Sequence, residues 1–308
     1  MMTHNTMKAL LDNNDLILME AAIVEPLRRG GVVDLHPTLV NAPLVYDETG
    51  RRELRSLYGG YMAIAKQAGL PLMLCTPTWR ANRERVEASG LPRSINRDTV
   101  GFLRELQGDT ESVRIGGLIG CRNDGYKPEQ GLTAAEAESF HGWQVGEFAA
   151  AGVDYLIAET ICTVSEAQGI ARAMEKTGLP YIISFVIRRD GCILDGTSLL
   201  DGILAVEKEV QERPLGFMVN CAWPGFLRAE QQPPELFHRL IGFQANGSSL
   251  DHADLDNAED LQAEGVSKWG QAMLKLNRDH GVKILGGCCG TGAGHLEYLV
   301  ANRGREHV

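Results

Sequence analysis

The chain has 308 residues, 44% of them apolar and 23% charged, which supplies one large core and excludes the low hydrophobicity of a disordered segment. Forty acidic against thirty basic residues leave a net charge of -10, a field that repels nucleic-acid phosphates and anionic membranes. No apolar run approaches the roughly 20 residues that span a bilayer, and seven cysteines in a chain this long argue against a secreted disulfide framework; the expectation is a cytoplasmic single-domain protein over residues 1–308, with neither nucleic-acid nor membrane partners.

Eight short β-branched or apolar runs follow one another: Leu16–Met19, Leu70–Cys75, Val113–Ile119, Tyr155–Ala158, Tyr181–Ile187, Gly216–Val219, Leu240–Phe243 and Val282–Leu285. Each predicts a strand. Ahead of the fourth run Thr133 with Glu136 matches a capping box, and after it Thr163 does so with Glu166; in that motif hydroxyl and carboxylate satisfy amides of a helix's first turn. Val164, Ala167, Ala171 and Met174 then recur at helical spacing, as do Val266, Trp269, Met273 and Leu276 before the eighth run. Strands apolar on both faces and alternating with helices predict a parallel sheet covered by helices. Eight such units predict closure into a (β/α)8 barrel. The alternative, a doubly wound open sheet, finds no GxGxxG turn after the first strand and no P-loop to support it.

Barrels of this kind build their active sites from the loops at the strand C-terminal ends. The sixth run leads into Asn220-Cys221 and the eighth into Gly286-Gly287-Cys288-Cys289-Gly290-Thr291, so three thiols gather at that face. Successive residues of a strand point to opposite sides, and Cys288 and Cys289 share an ion only where the backbone leaves extended geometry. Gly286, Gly287 and Gly290 permit that through positive φ and close approach. Three thiolates suit zinc, with a fourth position open to water or substrate; a thiol bound there loses its proton at neutral pH and becomes a nucleophile. A vicinal cysteine pair taken alone also fits a redox disulfide or two unrelated buried thiols. Cys75, Cys121, Cys162 and Cys192 read as small buried hydrophobes.

At these residues the sequence resembles the homocysteine S-methyltransferase family, which includes betaine-dependent and S-methylmethionine-dependent enzymes and the homocysteine module of cobalamin-dependent methionine synthase. The resemblance extends over most of the chain. Besides GGCCGT at Gly286–Thr291 and Asn220-Cys221, it is carried by Ala151-Gly152-Val153-Asp154 leading to Glu159-Thr160, by Ser184-Phe185, Gly196-Thr197-Ser198 and Asn246-Gly247, and by His295. It implies zinc ligation by Cys221, Cys288 and Cys289, and transfer of a methyl group to a homocysteine thiolate to give methionine. Glu159 matches the acidic residue that pairs with the homocysteine ammonium, with a local turn or helix N-terminus as its other reading. Asn220 matches a substrate or second-shell residue, or a turn-forming Asn. Thr76 and Thr78 fall at a threonine-rich strand end that lines the pocket, and Thr76 is retained as a site candidate. Trp223 either faces a cationic sulfonium or packs. His141 and His295 lie in predicted helices and read as structural.

The sequence departs from the family after the first strand, where Met19-Glu20-Ala21-Ala22-Ile23-Val24-Glu25 replaces an Asp-Gly pair that lines the pocket. Glu20 restores a carboxylate one position along, or the pocket fits another thiol. The leading expectation is methyl transfer from S-methylmethionine or S-adenosylmethionine to homocysteine, because the chain has no room for cobalamin-binding or folate-binding domains and no long C-terminal extension. The alternatives are a methyltransferase for another small thiol or selenol, and a non-catalytic zinc- or thiol-binding barrel.

Overall fold

Eight parallel strands close on themselves in chain order: β1 (Ile17–Met19), β2 (Leu72–Cys75), β3 (Val113–Gly120), β4 (Tyr155–Ile161), β5 (Tyr181–Phe185), β6 (Gly216–Ala222), β7 (Leu240–Ala245) and β8 (Ile284–Gly287). The computed structural model describes residues 2–250 and 264–304, with side chains from residue 6 onward. Leu18 of β1 pairs with Leu72 on one side and Leu285 on the other, which closes the ring. All eight runs read from the sequence are therefore strands of a (β/α)8 barrel, shifted at their ends by a few residues.

Alternation along each strand separates two cores. Ile17, Met19, Met73, Ile157, Ile182, Met218 and Ile284 fill the barrel interior, whereas Leu18, Leu72, Leu74, Leu156 and Phe217 face the outer helices. Those helices are α2 (Val24–Gly30), α3 (Glu48–Ala68), α4 (Arg83–Ser89), α5 (Ile95–Gln107), α6 (Ala134–Ala151), α7 (Val164–Glu175), α8 (Leu199–Glu207), α9 (Val266–His280) and α10 (Ala293–Asn302). The helical spacings predicted for α7 and α9 are their buried faces: Ala167, Ala171 and Met174, and Trp269, Met273 and Leu276, are buried. An additional helix, α1 (Met2–Asp12), precedes the barrel, and its Met7 packs with the interior cluster. Among the described residues no helix is long and apolar enough to cross a membrane.

Two local expectations are corrected. The connection from β6 to β7 carries three short 3-10 turns, Pro224–Leu227, Ala229–Gln231 and Pro234–His238, where a helix was expected. Pro224, Pro233 and Pro234 remove amide donors and clash with the preceding turn, so this short stretch does not propagate an α-helix. The box expected at α7 is only half formed. Thr163 accepts a hydrogen bond from the Glu166 amide, but the Glu166 carboxylate turns away to the Arg122 amide at 2.9 Å and His141 Nε2 at 3.0 Å. By contrast, Thr133 and Glu136 form the complete box at α6. Further along, Gly152 ends α6 at φ 74, and Asp154 takes both guanidinium nitrogens of Arg104 at 3.0 Å each.

Helices α6 and α7 approach closely at Gly169. A Cβ there would stand 2.2 Å from the Ala134 carbonyl oxygen and 2.6 Å from the Ala137 Cβ. In an open helix Gly→Ala stabilises by up to about 1 kcal/mol; here the backbone contact reverses the sign. Gly169→Ala is expected to destabilise the protein by about 1–3 kcal/mol through overpacking, measured as a lowered urea midpoint. A raised midpoint would mean that the two helices are not in this contact.

A candidate metal centre at the barrel mouth

The ends of β4 and β6 leave extended geometry at Thr160, with φ 60, and Cys221, with φ 51. Left-handed backbone at a non-glycine residue costs on the order of 1–3 kcal/mol, and a β-branched threonine is a marked case. Asn220 holds the two strand ends in place. Its Oδ1 accepts hydrogen bonds from the Thr160 amide and the Ser184 hydroxyl, both at 2.8 Å. Its Nδ2 donates to Thr160 Oγ1 at 2.8 Å and to Cys221 Sγ at 3.3 Å. Every polar atom of this buried amide is used, and the strained turn aims the Cys221 sulfur into the mouth of the barrel.

Cys288 and Cys289 reach the same point from the turn after β8. Thr291 closes that turn through its amide and hydroxyl, which donate to the Cys288 carbonyl at 3.2 and 2.6 Å. Positive φ was expected at Gly286, Gly287 and Gly290, but of these only Gly290 adopts it, at 78°. The first two supply space. A Cβ on Gly286 would meet Met19 Cβ at 2.8 Å and the Glu20 carbonyl oxygen at 2.9 Å, and one on Gly287 would meet Thr291 Oγ1 at 2.1 Å. From β7, the Gly247 amide donates to the Cys289 carbonyl at 2.8 Å, while the Gly290 amide is held by Glu25.

The sulfurs of Cys221, Cys288 and Cys289 lie within 4.8 Å of one another, with Cys221 buried, Cys288 half-buried and Cys289 exposed. In a tetrahedral zinc site with Zn–S bonds of about 2.3 Å the sulfurs stand roughly 3.8 Å apart, so the cluster fits a soft cation after a small contraction. The three thiols also interact as a unit without one. Hydrogen bonds from Cys221 and Cys288 hold the Cys289 thiol well below the usual range.

The strand ends also carry hydrogen-bond acceptors. Glu20 Oε2 accepts from the Cys75 amide at 2.6 Å, and the Cys75 thiol donates to Glu159 Oε1 at 3.8 Å. Burial, and then the neighbouring Glu159 charge, pushes the Glu20 carboxyl well above its ordinary value. Burial pushes Glu159 up to about 7. Among the described residues neither carboxylate has an ion-pair partner. At the end of β7, Gln244 and Asn246 are buried with Oε1 and Oδ1 unpartnered.

The other candidates stand apart from this cluster. Thr76 is fully buried, and its hydroxyl bonds Thr78 Oγ1 at 2.7 Å and accepts from the Leu118 amide at 3.0 Å, which stitches β2 to β3. His141 pairs with Glu166 behind the barrel. His295 Nδ1 accepts from the Gly292 amide at the start of α10. Trp223 is buried, with Lys268 Nζ 5.7 Å from its ring centroid. Sequence reasoning missed two contributors: Thr160, named only as the residue after Glu159, and Gln244, which carried no motif.

A carboxyl whose pKa rises on folding binds its proton more tightly in the folded state. Stability is then lost as pH climbs from the ordinary value near 4.5 through about 7. Glu159→Gln removes that loss. The variant is expected to be more stable than the wild type at pH 8, by up to about 3 kcal/mol at 1.36 kcal/mol per unit, with the gap closing toward pH 4. A gap in urea midpoints that is the same at both pH values would contradict the buried, uncompensated carboxylate.

These features agree with what the chain is similar to. A sequence profile described as homocysteine S-methyltransferase matches residues 19–302. The homocysteine S-methyltransferase of Escherichia coli is 23% identical over 98% of this chain and 99% of its own length. The Bacillus subtilis homocysteine S-methyltransferase YbgG is 23% identical over 96% and 97%. The fold matches the metallated form of the Escherichia coli homocysteine methyltransferase MmuM with a TM-score of 0.73 at 19% identity, covering 96% of this chain and 98% of that one. Its oxidized form matches at 0.74, with 20% identity and coverage of 96% and 99%. With the profile extending from the last residue of β1 to the end of α10, the chain belongs to the homocysteine S-methyltransferase family.

Proposed function

We propose that this chain transfers a methyl group from a sulfonium donor, S-methylmethionine or S-adenosylmethionine, to homocysteine, with Cys221, Cys288 and Cys289 holding zinc. The observation that carries the reading is the convergence of three sulfurs from β6 and β8 within 4.8 Å, beside a pocket of uncompensated carboxylates. Relatives named as homocysteine S-methyltransferases support it. Zinc, when bound, lowers the pKa of a thiol ligand so that it persists as a thiolate at neutral pH.

The protein's own residues bind and orient. Glu159 and Glu20 take the ammonium of the amino-acid acceptor, which replaces the proton that their crowding otherwise favours. Asn220 fixes the direction of the Cys221 sulfur by donating to it at 3.3 Å. The backbone around Gly286 and Gly290 presents Cys288 and Cys289 on one side of the turn. In the overall change the acceptor thiol proton goes to solvent and a carbon–sulfur bond to the acceptor forms. The bond from methyl to donor sulfonium breaks, leaving a neutral thioether. The loop from Glu20 to Glu25, where the family's Asp-Gly is absent, makes a different small thiol or selenol the second reading.

Protein purified under reducing conditions is expected to hold one zinc per chain, and serine at Cys221, Cys288 or Cys289 to strip it, whereas replacement of Cys121 or Cys192 leaves it loaded. Full zinc retention by all three serine variants sinks the centre. A mass-resolved methyl-transfer assay over a panel of thiols and sulfonium donors then tests the reaction. Homocysteine should be preferred to a non-amino-acid thiol of similar length, and Glu159→Gln should weaken homocysteine binding by roughly 1.5–3 kcal/mol through loss of a charge-assisted hydrogen bond. Preference for the non-amino-acid thiol, with zinc intact, favours the second reading.

A further inference from the structure

Two arginines at the C-terminal face of the barrel have no carboxylate partner. Arg80 follows β2, and its guanidinium lies over the Trp79 ring, 4.0 Å from the centroid. Its Nη1 donates to the Asn123 carbonyl in the loop after β3. Arg85, in the first turn of α4, donates from Nη2 to the adjoining Arg122 carbonyl at 3.0 Å, and its Nη1 is buried without a hydrogen bond. The acid next to it in sequence, Glu84, pairs with Arg122 at 2.9 Å. Among the described residues neither Arg80 nor Arg85 forms an ion pair, and two cations gathered on one loop without an acid favour a bound anion. Both contacts of Arg80 lead to the end of β4. Trp79 Nε1 donates to the Glu159 carbonyl at 3.3 Å. The loop that receives the guanidinium continues to Gly125, where a Cβ would lie 2.9 Å from Thr160 Cγ2, and the Thr160 hydroxyl reaches Cys221 Sγ at 3.7 Å.

We propose that Arg80, with the Arg85 charge beside it, binds the carboxylate of the methyl donor and so turns the sulfonium toward the acceptor sulfur. The ligand class is a sulfonium that bears an amino-acid carboxylate, and the inference rests on the proposed methyl transfer. A guanidinium suits the task, because its planar fork takes both oxygens of a carboxylate. Stacking on Trp79 fixes the plane of that fork before the ligand arrives. The anion belongs to the donor and not to the acceptor for a geometric reason. An acceptor held by its ammonium at Glu20 and Glu159 keeps its carboxylate on the same carbon, close to both. A guanidinium at that spot would pair with Glu20 or Glu159 in the free protein, and Arg80 pairs with neither.

The test measures equilibrium binding by calorimetry, which needs no turnover, for wild type, Arg80→Met and Arg80→Lys. The probes are S-methylmethionine, S-adenosylmethionine, and the carboxamide of each, which keeps the sulfonium and the ammonium and loses the anion. Arg80→Met is expected to weaken binding of the carboxylate form of the donor about ten- to a hundredfold and to bind its carboxamide as the wild type does. Arg80→Lys keeps the charge without the fork and should recover part of the loss. Unchanged binding of both donors in Arg80→Met would overturn the proposal. So would an equal loss for carboxylate and carboxamide forms, which marks a merely structural role. The same comparison with homocysteine and its carboxamide forms the acceptor arm. An Arg80-dependent preference that appears there and not with the donors would overturn the assignment by giving the anion to the acceptor. Arg80-dependent donor binding in zinc-loaded protein that transfers no methyl to homocysteine or any other thiol would support the carboxylate site and overturn the proposed function alone.

Discussion

The geometry of the mouth depends on one buried amide. Thr160 and Cys221 both sit in left-handed backbone, a conformation neither would hold alone, and Asn220 bonds the amide of the first, the hydroxyl of Ser184 and the sulfur of the second. Low dielectric makes such a network strong when complete and costly when broken. Three strands, β4, β5 and β6, are thereby locked at the level where the sulfurs meet. The strain is local, and the surrounding barrel over-determines it.

A second constraint is electrostatic. Glu20 and Glu159 share one neighbour, Cys75, and have no ion-pair partner among the described residues. Two buried carboxyls without a cation are an unfavourable arrangement for a free protein and a favourable one for a protein that receives an ammonium. The unpartnered oxygens of Gln244 and Asn246 have the same polarity. The sulfur cluster and these acceptor oxygens agree with the proposed acceptor, an amino acid bearing a thiol.

Stability and chemistry occupy opposite ends of the same strands. The lower interior is packed with methionine and isoleucine, and α1 contributes Met7 to it. The upper ends carry cysteine, asparagine and glutamate. Glycines mark the transition: Gly116 makes room for the Tyr155 ring, 2.3 Å from where a Cβ would stand, and Gly286 for the Glu20 backbone. Large side chains can therefore stay in the core while polar backbone and side chains converge above it.

Strand and helix periodicity was local information, and it sufficed for the eight strands, their order and the helical faces of α7 and α9. The Cys221, Cys288 and Cys289 grouping was also legible, because strand ends of a barrel share a face regardless of loop detail. What depended on contacts between distant segments was not. The Thr76 hydroxyl turned out to serve the β2–β3 seam because Leu118 and Thr78 lie beside it. Glu166 left its capping box because His141 and the Arg122 amide competed for the carboxylate. Gly286 and Gly287 proved to be needed for clearance, which only the neighbouring strand reveals. Gly125 had no motif at all: its loop is laid on Thr160, 35 residues further along the chain. Sequence determined which elements form and which face carries the thiols, since both follow from backbone period; tertiary structure decided what each thiol and carboxylate touches, since those partners lie tens to hundreds of residues away.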